Sequence, residues 1–212
     1  MQAFTSFLTA ELAHCLRHPS DIIGLGTQAL LLFMLIRFGM PADMQTAQSL
    51  PALLLGAMTV SLLHVAGSIF DDDAYVGRIA HWHYGPLSFE WIVAAKYIVL
   101  LCCCGIPLSV IFSLLLLIQQ HSIFNLHHIS VFVCTSSAII GCGCLGAAMK
   151  PLFNQHHFIS IVLMFPFLTS VIIFNASALL QPSGAMVLPA AFAICFPLCS
   201  IILSSFILKK CY

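Results

Sequence analysis

The sequence predicts an all-α integral membrane protein: six transmembrane helices, an N-terminal interfacial amphipathic helix, and a cytoplasmic coupling helix between spans 2 and 3. Three observations lead there. The 212 residues are 61% hydrophobic and 7% charged, against about 25% charged in an ordinary soluble domain. The apolar runs are unbroken rather than alternating, which argues for helices over barrel strands. The charges concentrate: residues 70–90 hold four of the seven acids (Asp71, Asp72, Asp73, Glu90) and, in Arg78, one of the seven Lys and Arg residues. The length fits a single membrane domain over 1–212 with no sizeable soluble domain.

Residues 3–17 place Phe4, Phe7, Leu8, Leu12 and Leu16 at helical spacing, with Thr5, Thr9, Glu11 and Arg17 elsewhere. That is the pattern of a short helix lying in the membrane interface. Pro19 then breaks it, and Ser20 or Asp21 is placed to cap the first span. The first 18 residues carry Glu11, His14, Arg17 and His18, so no cleavable signal peptide is read there.

Runs of roughly 18 or more apolar residues read as spans, and six are found, at about 22–38, 50–69, 91–118, 126–148, 158–180 and 185–208. The third is the longest, and Pro107 is its candidate kink. Pro166, Pro189 and Pro197 also fall within spans, where neighbouring helices must satisfy the carbonyls they free. The loops at 39–49, 119–125 and 181–184 are short. With the N-terminus inside, the inner side holds Arg17, Arg78, Lys96, Lys150, Lys209 and Lys210, and the outer side only Arg37. This positive-inside bias places both termini and the 70–90 loop in the cytoplasm. Lys96 lies a turn and a half into span 3 and is expected to snorkel to the inner surface.

Several chemistries are excluded. Zero net charge without a basic cluster gives no nucleic-acid footprint. None of the four lysines follows a Gly-rich stretch, so no nucleotide-binding P-loop exists, and any ATP hydrolysis belongs to a partner. Eight of the ten cysteines lie in apolar runs without a Cys-x-x-Cys spacing, as small hydrophobes do. Neither a catalytic motif nor a metal site is read. Gly141, Gly143 and Gly146 match a dinucleotide fingerprint by spacing, but no strand precedes them; they read as a small-residue face for close helix packing.

Two constellations remain. Asp71, Asp72 and Asp73 suit the start of a helix, and Tyr75, Ile79 and Trp82 follow at i, i+4 and i+7, the spacing of one helix face that docks a soluble partner. Among ten histidines, His64 alone lies well inside a span and reads as a packed, hydrogen-bonded side chain. His121, His127 and His128 would cluster at the outer ends of spans 3 and 4, and with His64 they form the candidate haem contact.

Four stretches then resemble the B subunit of the cytochrome c maturation system, haem exporter protein B, an ABC-2 type permease. They are Glu11-Leu12 with Arg17 to Asp21; Phe70 to Asp73 with Gly77; Pro86-Leu87-Ser88 with Lys96; and Pro166 with Ile173-Phe174. The chain departs from that pattern at Val76, where the family has an acid, at Arg78-Ile79-Ala80, and at Ser170, where it has a second proline.

The resemblance implies a bacterial inner-membrane subunit, typically half a pore. Its partners would be a separate ABC ATPase, the other membrane subunits of the maturation complex and, indirectly, a periplasmic haem chaperone, all in membrane lipid. Haem is the possible cargo, with no cofactor assigned to this chain and ATP on the partner. The residues carried over for ATPase docking are Phe70, Asp71, Asp72, Asp73, Gly77 and Trp82. Two alternatives stand beside it: a haem-binding assembly or electron-transfer protein using the outer histidines, and an ABC-2 permease for a lipid or polysaccharide.

Overall fold

The computed structural model describes residues 2–17, 19–40, 49–120, 126–153, 157–180 and 186–211, and every described element is helical. Helix α1 (Gln2–Arg17) precedes α2 (Pro19–Gly39) and α3 (Ser49–Gly67). Two short helices follow, α4 (Asp71–Tyr75) and α5 (Arg78–Trp82). Then come α6 (Phe89–Leu100), α7 (Ile106–Gln120), α8 (Leu126–Met149), α9 (His157–Leu180) and α10 (Val187–Cys211).

Among the described residues five segments are long and apolar enough to cross a membrane: Ile22–Gly39, Ser49–Tyr75, Phe89–Ile118, Leu126–Leu152 and Val187–Cys211. The sixth expected span falls on α9, whose described apolar stretch, Met164–Leu180, is shorter. The connections expected at 39–49, 119–125 and 181–184 lie largely outside the described residues. Helix α2 begins at Pro19, so Ser20 and Asp21 fall in its first turn rather than before it. Proline suits this position because its missing N–H has no helical partner there anyway.

Span 3 is α6 and α7 joined by a π-helical turn, Leu101–Gly105, in which the Ile106 N–H donates to the Leu101 carbonyl. The inserted residue re-registers the helix just before Pro107, which cannot donate a backbone hydrogen bond. Helix α8 is the centre of the bundle, packed on α3, α7, α9 and α10. Its small residues let neighbours approach: a Cβ on Gly141 would lie 3.1 Å from the Pro197 nitrogen of α10. A Cβ on Gly143 would occupy the space of the Ala66 methyl of α3, and one on Gly146 would meet Met164 of α9 at 3.9 Å.

Pro197 shows how a proline is accommodated inside a span. It frees the carbonyl of Ala193 one turn earlier, and the Ser137 hydroxyl of α8 donates to that carbonyl at 2.8 Å. The Tyr97 hydroxyl of α6 in turn meets Ser137 Oγ at 2.7 Å. Ser137 has a single hydroxyl hydrogen, engaged by Ala193, so Tyr97 is the donor. One hydroxyl relay therefore ties α6, α8 and α10 together.

Helix α1 packs along α6, with the Phe4 and Trp91 rings edge to face at 5.1 Å. Its inward face carries Phe4, Phe7, Leu8, Glu11 and Cys15, while Leu12 and Leu16 are exposed. This differs from the sequence expectation, which set Glu11 off the packed face.

Candidate functional site

The single coupling helix expected between spans 2 and 3 is two short helices with a break between them. Helix α4 ends at Tyr75, Val76 caps it, and Gly77 takes a left-handed φ of 73° before α5 starts. Only glycine adopts that conformation without strain. The break undoes the proposed shared face: Tyr75 is 93% exposed, whereas Ile79 is 1% exposed.

The segment carries its own small core. Phe70 and Ile79 pack with Phe89 and Val93 of α6, Ala147 and Ala148 of α8 and Leu208 of α10, and Trp82 covers their edge. The Trp82 ring meets Phe89 edge to face at 6.0 Å. Phe70, 3% exposed, is thus an anchor beneath the segment rather than a surface for a partner.

The acids are anchors as well. Asp73 is buried, with Oδ2 2.7 Å from Lys96 Nζ and Oδ1 3.3 Å from Arg78 Nη1. Lys96 Nζ also lies 3.2 Å from Glu11 Oε1 of α1. Lys96 therefore does not snorkel to water. Its side chain is 8% exposed and is neutralised inside by two carboxylates, as a cation at this depth requires. Asp71 receives Lys150, at the end of α8, at 2.8 Å to both carboxylate oxygens. Asp72, Tyr75, Val76, Gly77, His81, His83 and Tyr84 are exposed, and Asp72, Tyr75 and Val76 also border a cavity against α1 and α6. The Glu11–Lys96–Asp73–Arg78 network was missed by reading the chain element by element. Its signal was present: Glu11 falls four residues after Phe7 and three after Leu8, and a lysine inside a span demands acids.

The histidines separate. His64 is exposed on α3 rather than packed, facing a largely apolar groove of about 680 Å³ between α3, α8 and α9. His127 and His128 sit at the far end of α8, about 23 Å along the helix from the Gly143 level where α3 ends. The His127 Nε2 is 2.9 Å from the Ala178 carbonyl of α9, and the two imidazoles meet edge to face. His121 lies outside the described residues. His64 is thus not brought together with His127 and His128.

All ten cysteines are unbridged. A family model described as CcmB protein matches residues 2–211. A search of curated proteins finds no match.

Proposed function

Since the chain belongs to the CcmB protein family, and so is a permease component of the ABC-type system of cytochrome c maturation, we propose that its α4–α5 segment receives the motion of a separate ATPase subunit. The observation that carries this reading is the pairing of the flanking carboxylates, Asp71 with Lys150 and Asp73 with Lys96. These pairs fasten the segment to α8 and α6, so a partner that displaces it tilts the spans with it.

The docking surface is then the outward set, led by Tyr75 and Tyr84, each more than 90% exposed, with Asp72 and Gly77 beside them. The segment faces the cytoplasm in this reading. Arg17, Arg78, Lys96, Lys150, Lys209 and Lys210 share its end of the bundle, and Arg37 closes α2 at the other. Helix α9 completes six spans in the inner membrane, and α1 rests in the inner interface.

The work performed is haem export or release of the haem-loaded periplasmic chaperone. Release is favoured because the described cations are at span ends or consumed in ion pairs, leaving little to compensate the carboxylates of a haem crossing the bundle. The test is co-purification of the ATPase subunit with the Tyr75→Ala/Tyr84→Ala double variant. Loss of the ATPase at unchanged membrane level supports docking there; undiminished co-purification overturns it.

A further inference from the structure

The ion-pair network lines an open cavity of about 670 Å³ bordered by α1 to α6. Its two ends differ in chemistry. One is walled by Glu11, Asp72, Asp73, Arg78 and Lys96; the other reaches Val99, Leu100 and Cys104. Cys104 lies two turns beyond Lys96, roughly 12 Å further into the bundle. The cavity thus runs from the level of lipid headgroups into the apolar interior, polar at the mouth and apolar at the floor. That is the shape of an amphiphile.

We propose that this cavity holds one zwitterionic phospholipid with a primary-ammonium headgroup. Charge selects it. Among its Asp, Glu, Lys and Arg side chains the lining carries three carboxylates against two cations, which disfavours a lipid of net negative charge. Asp73 and Lys96 satisfy each other at 2.7 Å. Arg78, half exposed, gives Asp73 one nitrogen at 3.3 Å, and its planar fork has further donors for a phosphate. Asp72, exposed and in no ion pair among the described residues, accepts the ammonium. One acyl chain follows the apolar floor toward Cys104. The site borders the docking surface and shares Asp72 and Tyr75 with it, but lipid retention is read on this chain without the ATPase, so the two proposals fail separately.

The test uses the full chain reconstituted in bilayers of equal parts phosphatidylethanolamine and phosphatidylglycerol, then extracted, with retained lipid identified by mass spectrometry. Retention of about one phosphatidylethanolamine per chain is expected. Asp72→Asn/Arg78→Gln should reduce it about tenfold through loss of charge-assisted hydrogen bonds. Ala10→Trp, which fills the cavity mouth from α1 without touching an ion pair, should do the same. Equal retention of phosphatidylglycerol, no retained lipid, or variants that retain as much as the unaltered chain would each overturn the proposal.

Discussion

Lys96 of α6 and Asp73 of α4 meet at 2.7 Å, both buried, so a charge inside a membrane span is neutralised by the polar loop that precedes that span. This one pair explains why the loop is acidic and why span 3 tolerates a lysine. Glu11 at 3.2 Å draws α1 into the same knot.

Replacing Lys96 by Met leaves buried Asp73 with only the half-exposed Arg78 and half-buried Glu11 without its cation, a loss of about 3 kcal/mol. Thermal unfolding of the purified protein should show a clearly lowered midpoint. The triple variant Glu11→Gln/Asp73→Asn/Lys96→Met should recover most of it, since Lys96 and both of its carboxylate partners leave together. A triple variant no more stable than Lys96→Met would refute the pairing account.

Gly143→Ala puts a methyl where Ala66 already stands. Overpacking of this kind costs about 1–3 kcal/mol. Ala66→Gly should rescue Gly143→Ala while being mildly destabilising alone. A double variant that shows no rescue would mean that α3 and α8 do not meet there.

Ser137→Ala should cost about 1–3 kcal/mol by orphaning the Ala193 carbonyl. The cost should shrink in a Pro197→Ala background, where residue 197 regains the N–H that reaches Ala193. Equal costs in both backgrounds would show that the hydroxyl does not serve the proline.

These relationships divide between what the sequence declares and what it hides. The apolar runs, the site of the 70–90 segment and the close-approach glycines follow from local chemistry, because span length and the missing Cβ are local properties. The direction of the acids is not. Asp71, Asp72 and Asp73 are chemically alike, and only the tertiary placement of Lys150 and Lys96 decides that the outer two turn inward and Asp72 faces out. The same applies to Tyr75 and Ile79, which read as one face until Gly77 breaks the helix between them. Glu11 reads as the polar side of an amphipathic helix because its partner is 85 residues away in α6. In an apolar helix, periodicity has nothing to say about such a pair.

The central claim is that the α4–α5 segment transmits a partner's motion through its ion pairs. It is tested most directly by the neutral triple variant Glu11→Gln/Asp73→Asn/Lys96→Met, measured for both ATPase co-purification and covalent haem attachment to c-type cytochromes. The outward surface with Tyr75 and Tyr84 is intact in this variant, and so is the apolar packing of Phe70 and Ile79 on α6, but the ion-pair tie to α6 is gone. The account predicts normal co-purification with haem attachment reduced at least about tenfold. Normal attachment in a variant that binds the ATPase would contradict it.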